Sequence, residues 1–388
     1  MAITHAAIVG AGMAGLTTAL ALAARGIRSD IIEQAPHLAE VGAGLQISPN
    51  ASRILARLGV LRSLEAVWTE PERIAISSGK SLRQLSHVPV GRFARERWRA
   101  PYGVMHRATL QHVLQAAVEN NPLCRLHLGQ RIGQDCRTSI KSMIGGTPDV
   151  IIGADGVWSS IRDEIENAPE PDFSRNVAWR FTVAAEKVPS FLMPQAVTAY
   201  VGPSCHLVCY PLREAGGFNV VAIASGVSPG ETWEVHASME QKRMLLRQFK
   251  GWHPEILSLL TGMESGKFWP LYQVSDGRWQ NGRDVVLVGD AAHAMMPFAA
   301  QGAAMAIEDG WELAARLSAM PDLPGALSTY ENVRKARIAR VRNRGAFNRF
   351  AYHVRGPLRL GRDLVLFLRP PQSLAADLDW LYGYDAGL

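Results

Sequence analysis

The sequence predicts an α/β (α+β) fold in which a parallel-sheet, nucleotide-binding domain is interrupted by an antiparallel sheet and completed by C-terminal helices. Three observations predict it. An apolar strand, a glycine turn and an alanine- and leucine-rich helix open the chain; a β-branched and aromatic stretch broken by Gly and Pro fills the middle; and a second strand, glycine turn and long helix follow near residue 284. The expected division is 1–176 for the first part of the nucleotide domain, 177–275 for the inserted sheet, and 276–388 for the return and the terminal helices.

Taken in order, Ala6–Val9 reads as a buried strand, Gly10–Gly15 as a turn, Leu16–Arg25 as a helix closed by Gly26, and Ser29–Glu33 as a second strand. A unit of this kind closes with a right-handed crossover and a parallel sheet. Its turn, Gly10-Ala11-Gly12-Met13-Ala14-Gly15, fits the GxGxxG pattern, in which Gly10, Gly12, Ala14 and Gly15 leave room for a pyrophosphate at the positive end of a helix. Glu33, eighteen residues after Gly15, ends the next strand, where a carboxylate can accept from both hydroxyls of a ribose. This is a Rossmann-type dinucleotide site, and by itself it does not choose between FAD and NAD. Helical pattern returns at Pro49–Leu58 and Thr109–Glu119. From Val177 to Ile223, runs such as Val197–Val201 and Phe218–Ile223 predict the antiparallel insert. Two further turns stand at the carboxyl ends of apolar strands, where open α/β sheets bind ligands: Gly153-Ala154-Asp155-Gly156 after Val150–Ile152, and Gly289-Asp290-Ala291-Ala292-His293 after Asp284–Val288. Helices are expected at Gln301–Leu317 and Tyr330–Phe350, and an irregular tail from Pro370.

The composition of the 388 residues, 47% hydrophobic and 20% charged, is that of a folded globular chain. Cys124, Cys136, Cys205 and Cys209 are scattered without CxxC spacing, so neither a disulfide framework nor a zinc site is expected, and no second metal ligand stands at a helical spacing from His293. His293 reads instead as a structural hydrogen-bonding residue of its turn. Met1–Val9 runs straight into a strand without the pattern of a signal peptide, and no apolar run is long enough to span a membrane; a cytoplasmic protein is expected. A net charge of +6 raises the question of nucleic acid. The basic residues, however, fall in two groups that read as solvated: Arg92, Arg95, Arg97 and Arg99 in a loop, and Arg334, Arg337, Arg340 and Arg344 on one face of a helix. A mild positive field that attracts NAD(P)H and a carboxylated substrate explains them better than a nucleic-acid groove.

The glycine motif, the GADG turn and the GDAAH turn, in this order over nearly the whole chain, resemble the FAD-dependent aromatic hydroxylases, the group of para-hydroxybenzoate and salicylate hydroxylase. The resemblance implies FAD as cofactor, NAD(P)H as a transient cosubstrate, and a flavin that carries dioxygen at C4a as a hydroperoxide to hydroxylate a small phenolic acid of the salicylate, hydroxybenzoate or hydroxypyridine carboxylate type. It further implies that Asp290, in the turn begun by Gly289, bonds the ribityl hydroxyls and that Asp155 supports the pyrophosphate and the visit of NAD(P)H. Gly42–Asn50, Gly44 included, is similar to the family segment beside the isoalloxazine ring. His106–Leu110 resembles a helix start that makes Arg107 the FAD arginine, and Leu128 offers backbone contacts near the adenine. Pro297 and Gln301-Gly302-Ala303 resemble the approach to a flavin-facing helix, with the N–H groups of Gly302 and Ala303 turned to the pyrimidine edge. The tail Trp380–Asp385 also looks like that of salicylate hydroxylases. Plainer roles stay open: Arg107 as a carboxylate's partner, and Asp155 as the cap of a short helix. The chain departs from the family between Leu128 and Asp149, where only a shortened sheet remnant, Ile132–Gly146, is expected.

Such a reaction needs a dry pocket and a base for the phenolic proton. His206 and Tyr210, four apart on a strand, point to one face, a spacing similar to that of 6-hydroxynicotinate 3-monooxygenase and related hydroxybenzoate hydroxylases. His206 is the expected proton acceptor or relay and Tyr210 the orienting group; a buried hydrogen-bonded pair without chemical duty is the alternative. Arg180 is expected either to hold a substrate carboxylate or to form a surface ion pair, and Gln46 to orient substrate. Dioxygen and a small aromatic are the remaining partners, and a homodimer is compatible with the resemblance. Two other classes compete: a non-catalytic flavoprotein that senses a ligand or redox state, and a flavin enzyme acting on a larger aromatic or quinone. A flavin-dependent halogenase is disfavoured because no WxWxIP segment is present.

Overall fold

The computed structural model describes residues 3–38, 44–133, 135–226, 238–263 and 267–387, with 235–236 as backbone. Gly42 and Ala43, part of the segment expected beside the flavin ring, lie outside them. A five-stranded sheet runs in the order Val285–Leu287, Val150–Gly153, His5–Val9, Arg28–Ile32 and Cys124–His127, all pairs parallel. The near-continuous burial of its central strands is what a sheet covered on both faces requires. The first helix, Met13–Ala23, is buried along its whole length, and its small residues let the sheet and the helix Gly302–Ala319 close on it. Gly10 has a φ of +104, and a Cβ there would stand 2.5 Å from the Ala154 carbonyl oxygen, so this first turn accepts only glycine.

The second sheet is larger than the expected insert. Its eight strands run Val235–His236, Lys267–Val274, Pro171–Ala184, Gly217–Ser225, Cys205–Leu212, Ala196–Gly202, Arg73–Ser78 and Gln84–Pro89. The last two come from the N-terminal part of the chain, and Arg73–Ser78 joins in parallel to Ala196–Gly202 while the other pairs are antiparallel. Gly44–Ile47 and Gly103–His106 form a separate two-stranded antiparallel sheet.

Four local expectations are corrected. The Ile132–Gly146 remnant is not a strand: Cys136–Ile144 is helical, capped where the Asp135 carboxylate accepts from the Thr138 amide at 3.0 Å and ended by Gly145 in the left-handed region. Arg92–Trp98 is a helix rather than a loop, and its arginines are paired, Arg92 with Glu96, Arg95 with Glu65 and Glu70, and Arg97 with Asp379. The tail beyond Pro370 contains helices Pro371–Ala376 and Asp379–Tyr382. The basic face of the 31-residue helix Leu323–His353 is solvated only in part: Arg340 is exposed and Arg344 half-buried, whereas Arg334 and Arg337 are buried.

Arg334 is fully buried and Arg337 nearly so. Arg334 Nη1 donates to Glu308 at 2.6 Å and its Nε to Asp309 at 2.7 Å, while Arg337 Nη2 donates to the other oxygen of Glu308 at 2.9 Å. Burial pushes both carboxyls upward, but the adjoining guanidinium groups, and for Asp309 also His293, outweigh it and hold them below the usual carboxylate range. Asp309 also accepts from the Gly289 amide at 2.7 Å and stands 2.5 Å from His293 Nε2; Glu308 accepts from Asn50 at 2.7 Å. His293 is thus the structural residue expected of its turn. The long helix locks the GDAAH turn and the segment after Gly44 to one buried ionic knot.

Candidate active site

One cavity of about 1120 Å³ lies between the carboxyl edge of the parallel sheet and the inner face of the eight-stranded sheet, with the long helix and helix Pro357–Leu368 along its side. Strand ends place its first wall. Val9, Ile32 and Gly153 lead directly into the turns that present Gly10 and Gly12, Glu33, and Asp155 to the same space, joined by Asp290 beyond Val285–Leu287. A Cβ added at Gly12 or Gly302 would meet nothing within 4 Å, so both backbones are open to an occupant. Glu33 is oriented by the Ala11 amide at 2.8 Å and the Ala35 amide at 2.9 Å, one on each carboxylate oxygen, which leaves further lone pairs for a diol.

The rest of this wall carries polar groups without protein partners. Asp155 Oδ2 accepts from the amides of Ser160 at 2.8 Å and Ile161 at 3.4 Å, which is the capping role, yet its Oδ1 is buried with no partner and burial raises its pKa. Among the described residues the Asp290 carboxylate accepts no hydrogen bond and Arg107 forms no ion pair; burial lowers the Arg107 pKa, and Asp290 acts against that shift. The 18-residue helix Gly302–Ala319 begins without a side-chain cap, so its first amides face the cavity unpaired. Open glycine backbones, an oriented carboxylate, an orphaned carboxylate oxygen and an uncapped helix start fit a dinucleotide carrying pyrophosphate, diols and a polar heterocycle, as FAD does.

Of the expected cofactor residues, Gly10, Gly12, Ala14, Glu33, Gly44, Arg107, Asp155, Asp290, Pro297, Gly302 and Ala303 line the cavity, whereas Gly15, Leu128 and Gly289 do not. A Cβ on Gly15 would strike the Gly10 carbonyl oxygen at 1.9 Å, so its smallness serves the strand–helix packing. Gly289 hydrogen-bonds to Asp309, away from the space. Near Leu128, the cavity is lined instead by Gln130, Arg131 and Ile132.

The opposite wall gathers His206, Tyr210, Gln46 and Arg180. His206 and Tyr210 are 1% and 2% exposed on strand Cys205–Leu212. The Tyr210 ring packs over Gly44, whose amide donates to Asn219 Oδ1 at 2.9 Å, and burial raises the phenol pKa of Tyr210 against the pull of Arg180. Gln46 Oε1 accepts from the Tyr102 hydroxyl at 2.6 Å, leaving its amide nitrogen free of protein partners among the described residues. Arg180 is not in a surface ion pair: its Nε is buried without a partner, its guanidinium lies 5.5 Å from the Trp269 ring centre, and desolvation lowers its pKa. His206 Nδ1 lies 3.0 Å from His353 Nε2, and burial, with His353 close by, lowers the His206 pKa to about 3.

Two residues of this wall, Arg344 and Tyr102, and His353 behind it escape sequence reasoning. Arg344 faces the cavity with its Nε buried and unpartnered, 5.6 Å from the Phe347 ring centre. Its spacing from Arg334 and Arg337 marked a stripe but not the direction in which the stripe faces. Tyr102 stands in no motif, and His353 is 147 residues from His206.

With this geometry in place, similarity to known proteins is informative. The family model described as an FAD binding domain matches residues 3–344. The chain is 33% identical to 3-hydroxybenzoate 6-hydroxylase 1 of Aquipseudomonas alcaligenes over 97% of this chain and 96% of that one. It is 36% identical to the 3-amino-4-hydroxybenzoate 2-monooxygenase of Streptomyces cremeus, over 98% and 95% respectively. The solved structure of a salicylate hydroxylase substrate complex superposes with a TM-score of 0.79 at 22% identity, covering 99% of this chain and 96% of that one, which establishes the shared fold.

Proposed function

The chain belongs to the FAD-dependent aromatic hydroxylases, and on that premise we propose that it hydroxylates a small phenolic or aromatic acid at the expense of NAD(P)H and dioxygen. The observation that carries this reading is the continuity of one cavity from Glu33 and Asp290 to His206, Tyr210 and Arg180. Bound FAD, once reduced, supplies the activation of dioxygen. The protein would hold it: Gly10, Gly12 and Ala14 would admit the pyrophosphate to a helix start, Glu33 would take the ribose, and Asp290 with Arg107 the ribityl chain. The amides of Gly302 and Ala303, beside Pro297, would bind the polar heterocycle, and Asp155 would serve the pyrophosphate and the passage of NAD(P)H.

On the substrate side, His206 takes the phenolic proton at Nε2, Tyr210 and Gln46 orient the ring, and Arg180 binds the carboxylate through two parallel N–H groups. Arg180 is suited to this because an unpaired cation in an apolar wall gains most from an incoming anion. The apolar side chains of Ile74, Val197, Val221 and Phe298 keep the same space dry. Strands 73–89 and 171–274 together form the substrate-side region. No helix among the described residues is long and apolar enough to cross a membrane. A cytoplasmic location is supported by four free cysteines, and a homodimer by the exposed Leu360, Leu364 and Phe367 of one helix.

The test is a panel of salicylate, hydroxybenzoates and hydroxypyridine carboxylates presented to the FAD-loaded enzyme. Perturbation of the flavin absorbance, oxidation of NAD(P)H and a product heavier by one oxygen are expected for at least one of them. Peroxide release with every acid and hydroxylation of none would remove small aromatic acids as the substrate class.

A further inference from the structure

We propose that His353 is the outer station of a two-histidine relay that conducts the substrate's phenolic proton from His206 to solvent. The proposal rests on the assignment of His206 as the proton-accepting group and extends it to a residue outside every sequence motif.

The geometry is a short bridge across the cavity wall. His206 is buried, its ring walled by Phe298 at 5.3 Å, Tyr352 at 5.4 Å and His353 at 5.1 Å between centres. Its Nδ1 is committed to His353 Nε2 at 3.0 Å, while its Nε2 has no protein partner among the described residues and the ring lines the cavity. His353 is the last residue of the long helix and only half-buried. The pair therefore reaches from the reaction space to the surface. Its spacing is held from outside, because Arg355, two residues beyond His353, donates to Ser204 Oγ, two residues before His206.

The electrostatics favour conduction over storage. The sheet partners of His206, Val201 and Ile223, are apolar, and among the described residues the titratable groups in ring contact with it, Tyr352 and His353, both come from the helix. His353 faces Arg349 and Arg355; burial, then these cations, lower its pKa to about 4. Neither imidazole rests protonated at neutral pH. A base that cannot keep a proton is useful only with an onward acceptor, and an outer histidine that sheds it readily is one.

The step balances as follows. The phenolic O–H bond breaks and an Nε2–H bond forms on His206; the Nδ1–H of His206 passes to His353 Nε2; and His353 Nδ1–H is lost to water. The ring is left as a phenolate and both imidazoles are neutral again. Each histidine has exchanged which nitrogen carries its proton, and reversal between turnovers resets them.

The experiment uses FAD-loaded wild type, His353→Phe and His353→Gln with 3-hydroxybenzoate, or the acid that the panel shows to be hydroxylated, in single-turnover hydroxylation. His353 acts through His206, so its loss should slow the step by about tenfold or more, with FAD occupancy and substrate Kd within twofold of wild type. Added imidazole should restore the Phe variant in proportion to its neutral form, which a purely structural role would not allow. The Gln variant keeps a hydrogen-bond acceptor for His206 but cannot relay, and should stay slow. A wild-type rate in either variant overturns the relay, and so does a slow Phe variant that imidazole does not rescue. If wild type hydroxylates none of the acids, the proposed activity falls rather than the relay alone.

Discussion

Replacing Gly44 by Ala should separate the two ends of the cavity. A Cβ at this position would stand 2.6 Å from Tyr210 Cε2, 2.8 Å from its hydroxyl oxygen and 3.1 Å from Asn219 Cγ. Ordinary contact needs roughly 3.5 Å or more, so the Tyr210 ring must retreat by about 1 Å. The ring can yield only toward the cavity it lines, because Tyr210 is otherwise packed into the main core and Asn219 is buried. Overpacking of this kind costs about 1–3 kcal/mol of stability. A displacement of about 1 Å in a positioning group costs about 100-fold in rate. The dinucleotide turn around Gly10 and Gly12 is a separate element and should keep its cofactor. The variant should therefore purify yellow, with hydroxylation reduced by about 100-fold and NAD(P)H oxidation diverted to peroxide. The assay is product yield per NAD(P)H consumed, beside the flavin content of the same sample. Hydroxylation within about twofold of wild type would show that Tyr210 does not position the ring; loss of flavin with unchanged chemistry per bound flavin would place Gly44 on the cofactor side.

Four other outcomes are expected. Gly12→Val fills the open backbone of the first turn and should give folded, colourless protein, checked by circular dichroism with flavin absorbance. Arg334→Met leaves Glu308 and Asp309 without their shared cation and should cost about 3–5 kcal/mol, measured by denaturant titration; a loss below about 1 kcal/mol would contradict the buried knot. Arg180→Met should raise KM by about 10- to 100-fold for carboxylated substrates and leave kcat less affected, whereas the same result from Arg344→Met alone would move the carboxylate to the other wall. Finally, despite burial, the bidentate Arg137 contact lowers the Asp284 pKa to about 2. Because the folded pKa lies below the unfolded one, the contribution of about 2 kcal/mol is present above about pH 4 and lost as pH falls toward 2. The stability gap between wild type and Arg137→Met should narrow over that window.

What was legible in the sequence were features with a local signature. The strand–turn–helix units at Gly10 and Gly289 are written in consecutive residues, and His206 and Tyr210 share a face because strands alternate. The eight-stranded sheet was only half visible: Arg73–Ser78 joins it by pairing with Ala196–Gly202 and brings Gln84–Pro89 with it, and nothing local marks a parallel partner more than a hundred residues away. The Leu128–Asp149 segment was misread through the family's usual strands, although Asp135 with Gly145 offered a cap and a stop for a helix. The arginine stripe at 334–344 shows a more general limit. Periodicity reveals that side chains share a face, but whether that face meets water or Glu308 and Asp309 depends on a helix packed against it.

The parallel sheet takes its edge strand, Val285–Leu287, from chain that follows the whole eight-stranded sheet. Since synthesis delivers the N-terminus first, a nascent chain holds the glycine turn and Glu33 early but lacks Asp290 and the Gly302–Ala303 amides until most of it has left the ribosome. Until then the flank of Val150–Gly153 offers unpaired backbone, a span during which chaperones have reason to attend. Asp290 and the Gly302–Ala303 amides therefore join the cavity wall only once this last strand of the parallel sheet is in place.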